Sequence, residues 1–170
     1  MEKVILVDEN DRPIGTENKL RAHQNGGRLH RAFSVFIYDR DGRMLLQRRA
    51  AGKYHFAGLW TNACCSHPHP EEPTEQAAHR RLHHELGIDT DLLEILSFMY
   101  HALDDVSALH EREFLHVLTG TYEGECRPDP DEIAEIRWVE DQVIQRETSA
   151  TPERFTPWFL EAIRLMGQRR

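Results

Sequence analysis

The chain is 170 residues long, which suits one domain with a core of its own. Its 21 Lys and Arg against 29 Asp and Glu give a formal charge of -8, which argues against a nucleic-acid partner and demands a local basic pocket for any anionic ligand. No run of about 18 apolar residues is present to span a membrane, and MEKVILVDEN turns acidic where a signal peptide stays apolar, so a cytoplasmic protein with no membrane partner is expected.

In chain order, residues 3–8 read as a short apolar strand, and Asn10, Asp11, Pro13 and Gly15 supply the turn to a second extended piece. RAFSVFIYDRDGRMLLQRRA is the clearest hairpin, with strands at about 32–38 and 43–49 around a turn at Asp39–Gly42. From 50 to 73 the chain is rich in Gly, His, Pro and Asn without periodicity, and it reads as loop or irregular extended structure of the kind that carries function. Thr74 as N-cap, Glu75 in the first turn, Ala78, Leu82 and Leu86 at four-residue spacing and Gly87 as stop predict a helix over 75–86. Further strands follow at 93–103, 113–122 and 136–139. Phe155, Trp158, Phe159, Ala162, Ile163 and Met166 make an apolar stripe on a closing helix. The expectation is an α+β protein, a single-domain α/β/α sandwich over 1–170 with a mixed sheet.

Three cysteines, Cys64, Cys65 and Cys126, are an odd and small set, and adjacent Cys64 and Cys65 are poorly placed to staple distant segments together, which fits a reducing compartment. In TNACCSHP, Cys65 and His67 stand two residues apart and share a side of an extended segment. Alone, such a thiol is more often a packed small side chain than a catalyst. Eleven histidines raise the expectation of metal binding. His23 and His30 lie in KLRAHQNGGRLH, where apolar packing gives little reason for two imidazoles, and Glu111 and Glu113 in HEREF alternate onto one face. Two such carboxylates repel unless a cation or proton holds them. With imidazoles they would make a nitrogen and oxygen set suited to Zn²⁺, Mn²⁺ or Mg²⁺; solvated strand charges and surface histidines are the competing reading. His79, His83, His84, His110 and His116 read as structural or surface. Lys19, Arg48, Arg49 and Lys53, with Arg80 and Arg81, bunch near the same loops and either line a phosphate pocket or form a solvated face. Glu85 is four residues beyond Arg81, so the two either pair on the helix or serve a metal and a phosphate separately.

From KLRAH and RLHRAFSVFIYD through RRAAGKYHFAGLWTNACCSHP and RRLHHELGI to HEREF and FTPWF, the chain resembles the type 1 isopentenyl-diphosphate isomerase family, a branch of the Nudix fold. TNACCSHP with the upstream histidines is the specific part, whereas a helix ending in Glu-Leu-Gly-Ile is common to many Nudix proteins. Nudix hydrolases carry an Arg-Glu and then a Glu-Glu pair on this helix, where this chain has Arg80 with Arg81 and His84 with Glu85. Too few carboxylates remain for multi-metal hydrolysis.

The resemblance implies that His23, His30, His67, Glu111 and Glu113 bind one divalent metal, Mn²⁺, Zn²⁺ or Mg²⁺. Glu85 and the backbone carbonyl of Cys65 would hold a Mg²⁺ that also touches a small-molecule diphosphate substrate. Lys19, Arg49, Lys53 and Ser66 match diphosphate-contact positions, with Arg81 as an addition. Cys65 aligns with the catalytic thiol. Moving the double bond of isopentenyl diphosphate needs protonation at one carbon and deprotonation at another, on two faces. Glu113 with Tyr100 is the expected donor, Cys65 the acceptor, and Trp158 the expected indole face for the tertiary cation, unless it is only core. A Nudix pyrophosphohydrolase and a non-catalytic metal-binding module are the alternatives. Nothing in the sequence sets the oligomeric state, for which a monomer is the default.

Overall fold

In a computed structural model describing residues 2–168, one nine-stranded sheet organises the chain. The expected domain span of 1–170 also takes in Met1, Arg169 and Arg170, which lie outside the described residues. Strands β1 (Lys3–Val7) and β2 (Pro13–Asn18) form the opening antiparallel hairpin. A four-residue helix, α1 (Lys19–Ala22), follows, capped by the Asn18 side chain accepting from the Arg21 N–H. The central strand β3 (His30–Tyr38) is buried along most of its length and pairs with β4 (Met44–Arg49) through the turn read from the sequence.

The segment 50–73 is mostly irregular, but it holds two short strands, β5 (Trp60–Thr61) and β6 (Cys64–Ser66), that periodicity could not reveal because each is under four residues. Helix α2 (Thr74–Leu86) begins one residue earlier than expected, with Pro73 rather than Thr74 at the N-cap and no side-chain cap bond; Gly87 closes it in the left-handed conformation at φ 66°. A long hairpin, β7 (Leu93–Asp104) and β8 (Leu109–Thr121), precedes β9 (Ile133–Val139). Helix α3 (Asp141–Ala150) was not legible in the sequence: only Ile144 on it is buried, too thin a stripe for a helical period. Helix α4 (Pro157–Gly167) carries Trp158, Phe159 and Ala162 inward. Phe155, expected on this helix, precedes it, because Pro157 at the first helical turn sets the start; Phe155 instead bridges to Trp60.

The sheet is mixed. β3 runs antiparallel to β4 and β6 but parallel to β8, paired from His30 opposite Glu113 to Tyr38 opposite Thr121. Alternation along β3 sends Ala32 and Phe36 into a core with Trp158, Phe159 and Ile144 under α3 and α4. It sends Phe33, Val35 and Ile37 into a second core with Ala78, Leu82 and Leu86 of α2. Helices on both faces make the expected α/β/α sandwich. Among the described residues, no helix is long and apolar enough to cross a membrane.

Candidate active site

The site gathers where β3, β6 and β8 meet. Because β3 and β8 are parallel in the register above, His30 at the start of β3 stands beside Glu113, and Glu111 lies two residues upstream on the same face. β6 runs antiparallel to β3 with Cys65 opposite Ser34, which brings His67 alongside. His23 closes α1 at its C-cap.

One ligand atom from each of His23, His30, His67, Glu111 and Glu113 lies within 4.8 Å of all the others, and all five residues are buried. The ring orientations are fixed from behind. The Nδ1 of His23 is 2.7 Å from the Lys19 carbonyl and that of His30 is 2.7 Å from the Arg28 carbonyl. As N–H donors to those oxygens, both rings aim an Nε2 lone pair inward, the arrangement that metal-binding histidines use. His30 Nε2 and Glu113 Oε1 both approach His67 Nε2, at 3.1 and 2.8 Å. His23 Nε2 and Glu111 Oε2 face each other at 3.2 Å without hydrogen-bond alignment, and both are buried polar atoms with no partner.

The electrostatics point the same way. Burial pushes the His67 imidazole down to about 4, so it is neutral at physiological pH. Burial also opposes the charges of Glu111 and Glu113, yet His23 and His55 hold Glu111 well below the usual carboxylate range, and His30 and His67 pull Glu113 down against the Glu111 charge. Two buried carboxylates on one face beside three imidazoles, with orphaned atoms aimed at a common centre, fit a divalent cation.

Next to this cluster is a cavity of about 110 Å³. Cys65 and Ser66 line it together with Lys19, Arg49, Lys53 and Arg81, so the thiol and every cation matched to a diphosphate contact meet in one place. Three of the four cations are held by acids, and Arg49 by the carbonyls of His55 and Phe56. Lys19 Nζ is 3.1 Å from Glu2, Lys53 pairs with Glu132, and Arg81 contacts Glu132 at 3.0 Å and Glu85 at 2.6 Å. Lys53 and Arg81 overcome burial and bring Glu132 down to about 2. Arg81 and Glu85 are therefore paired on the helix, one of the two options left open by their spacing. Glu85 stands behind the cavity wall, buried, with Gln47 Nε2 3.4 Å from its other oxygen. Arg80, by contrast, turns to Glu72, and His84 is more than half exposed.

The two cysteines point opposite ways, as neighbours on a strand must. Cys64 is fully buried in the α2 core. The Cys65 sulfur meets Asn62 Oδ1 at 3.1 Å, Trp158 Nε1 at 3.1 Å and Ser34 Oγ at 3.3 Å. Burial pushes its thiol up to about 11. Tyr100, directly across the β7–β8 ladder from Glu113, donates its hydroxyl to Glu113 Oε2 at 2.5 Å, and burial keeps the phenol protonated. Trp158 reaches both groups: its N–H touches Cys65 and its ring centroid is 6.4 Å from that of Tyr100. It belongs to the core and to the cavity wall at once. Asn62, Thr61, Glu132 and His55 were not singled out in the sequence. Asn62 and Thr61 lie inside WTNACC, where polar residues between buried ones were the available signal; Glu132 and His55 gain their partners only through folding.

A NUDIX domain matches residues 28–159. An isopentenyl-diphosphate Delta-isomerase of Halorhodospira halophila is 48% identical over 164 residues, covering 96% of this chain and 94% of the relative. One from Serratia proteamaculans is 46% identical over 98% of this chain and 92% of its own length. The chain belongs to the isopentenyl-diphosphate Delta-isomerase family. Within the Nudix fold, a Deinococcus radiodurans crystal structure superposes with a TM-score of 0.72 at 18% identity, covering 88% of this chain and 90% of that one. Such low identity shows the fold alone. In this isomerase family member the cluster of three His and two Glu and the thiol lie side by side, while the Nudix helix contributes to the region one buried carboxylate, Glu85.

Proposed function

We infer that this chain is an isopentenyl-diphosphate Delta-isomerase that interconverts isopentenyl and dimethylallyl diphosphate for isoprenoid precursor synthesis. The observation that carries the reading is the meeting of Cys65, the Tyr100–Glu113 pair and Trp158 on one cavity beside four cations. We take 1–170 as one catalytic unit, and as a monomer in the cytoplasm, where its three free thiols stay reduced.

The diphosphate is assigned to Lys19, Arg49, Lys53, Ser66 and Arg81. Arg and Lys complement phosphate oxygens, and the diphosphate would draw Lys19, Lys53 and Arg81 away from the acids that pair them here. A Mg²⁺ accompanying the diphosphate is assigned to Glu85 and the Cys65 backbone carbonyl. His23, His30, His67, Glu111 and Glu113 are assigned to a second divalent ion, Mn²⁺, Zn²⁺ or Mg²⁺, which when bound supplies the positive charge that two buried carboxylates require.

Isomerisation adds a proton to the terminal alkene carbon, giving a tertiary cation, and removes one from C2, so the double bond moves and no net proton is consumed. Toward dimethylallyl diphosphate we assign the giving face to Tyr100 with Glu113 and the taking face to Cys65. Burial works against a thiolate at Cys65, but the Trp158 N–H and the Ser34 hydroxyl stand where they stabilise one. The Trp158 ring faces the cation with π density and offers it no nucleophile, an attraction of about 2 kcal/mol when desolvated. The cation must also be kept from water, so the cavity has to close over the bound substrate.

A pyrophosphohydrolase reading lacks support at α2, where Arg80 and His84 face away and Glu85 is the helix's one buried carboxylate. A non-catalytic metal module leaves Cys65 and Tyr100 without work. The test is incubation of purified protein with Mg²⁺ and isopentenyl diphosphate in deuterated water. Dimethylallyl diphosphate carrying deuterium is the expected product; neither isomer nor label from a metal-loaded preparation rejects the reading.

A further inference from the structure

A fourth histidine touches the metal cluster and has no role in the reading above. His55 lies in the irregular segment after β4, 6% exposed, and its Nε2 contacts Glu111 Oε1. The other oxygen of the same carboxylate, Oε2, is the one that faces His23 inside the five-ligand cluster. Glu111 is thus held from outside by one imidazole and presents its free oxygen to the centre.

The contact is built into the backbone. Phe56 adopts φ 48°, a left-handed conformation that costs a non-glycine residue about 1 kcal/mol or more. Arg49 donates Nε to the Phe56 carbonyl at 3.1 Å and Nη2 to the His55 carbonyl at 3.0 Å. Asp104 accepts from the Phe56 N–H at 3.0 Å. Three hydrogen bonds from β4 and β7 therefore hold a strained turn whose consequence is the aim of His55. The ring is fixed further by stacking on Tyr54, centroids 4.2 Å apart and planes within 14°.

We propose that His55 is a positioning residue of the metal centre, its Nε2–H donating to Glu111 Oε1 so that Glu111 binds through Oε2 alone. An acceptor-only carboxylate fixes the proton on Nε2. His55 Nδ1 is then a lone pair, buried without a partner, which leaves the ring no second tautomer to trade into. Outer partners of this type fix the orientation and basicity of a ligand, and their loss typically weakens metal binding roughly ten- to a hundredfold. The proposal rests on the five-ligand assignment above.

The test measures Mn²⁺ affinity by chelator competition for the full chain and for His55→Phe, His55→Ala and His55→Gln, with pulsed EPR of the Mn²⁺ forms to count coordinated imidazole nitrogens. His55→Phe keeps the volume and the stack on Tyr54, so a packing role leaves affinity unchanged in it. We expect His55→Phe and His55→Ala to bind roughly ten- to a hundredfold more weakly. His55→Gln, which restores an N–H, should recover most of the loss, and three imidazoles should be counted in every form. Unchanged affinity in His55→Phe, or a count that falls from four to three without His55, overturns the proposal. Failure of the unsubstituted chain to bind any of Mn²⁺, Zn²⁺ and Mg²⁺ rejects the five-ligand assignment itself, and this proposal with it.

Discussion

Cys65 and Cys64 share a residue type and a peptide bond, yet strand alternation gives them unlike surroundings: Cys65 has Asn62, Ser34 and Trp158, and Cys64 the apolar face of α2. Cys65→Ala should lower turnover by roughly 10²–10⁴-fold, the usual worth of one proton-transfer group. Cys64→Ala should keep turnover and lose about 1 kcal/mol of stability. Steady-state kinetics with denaturant unfolding checks both, and equal loss of turnover would show the wrong thiol chosen. The pH profile tests the proton order. With the thiol pushed up to about 11, an acceptor role needs the deprotonated form, so kcat/KM should climb through the alkaline range below about 11. A profile flat to that point and then falling would make Cys65 the donor instead. Cys65 and His67 were visible as a pair from their spacing, but that spacing was equally that of a packed thiol. Ser34 and Trp158, 31 and 93 residues away in sequence, are what give its sulfur polar partners at the cavity.

Helix α2 was readable because its apolar period, its first-turn acid and its terminal glycine agree, and the structure moved only its start. Gly87 carries a specific load there. At φ 66° its N–H bonds the His83 carbonyl, and an added Cβ would sit 3.3 Å from Arg127 Cβ. Gly87→Ala should cost about 1–2 kcal/mol for the left-handed conformation, read as a lower denaturant midpoint. No loss would mean that the helix end relaxes freely. The paired strands 32–38 and 43–49 were equally clear, since two apolar runs enclose an Asp-Gly turn. β5, β6 and α3 were not: two are too short for any period, and the third buries one apolar side chain. Both short strands owe their existence to hydrogen bonds with β4 and β3 rather than to local preference.

Across the whole molecule, the candidate metal cluster draws on α1, β3, β6 and β8 and so gathers the N-terminal ends of the parallel pair β3 and β8 beside the N-terminal helix. A divalent ion bound to these preassembled groups would stabilise the folded chain by about 2.7 kcal/mol at a hundredfold excess over Kd. Chelation should therefore lower Tm, and re-adding Mn²⁺ should restore it; an unchanged Tm would mean that the cluster binds no ion. Because imidazole ligands must be neutral, the gain should shrink as pH falls, as protons compete for His23, whose affinity for them Glu111 and Glu113 raise against burial. By itself the sequence determined the fold class, the long strands, α2 and the candidate ligands, because apolar period, turn chemistry and residue type are local properties. Only the tertiary structure decided which carboxylate faces which imidazole, that Arg81 answers Glu85 and Glu132, and that His55 stands behind Glu111. The imidazole and carboxylate contacts are set by the parallel register of β3 with β8 and by a strained turn at Phe56. Neither leaves a periodic signature in the chain, since long-range pairing is fixed by the packing of the whole sheet.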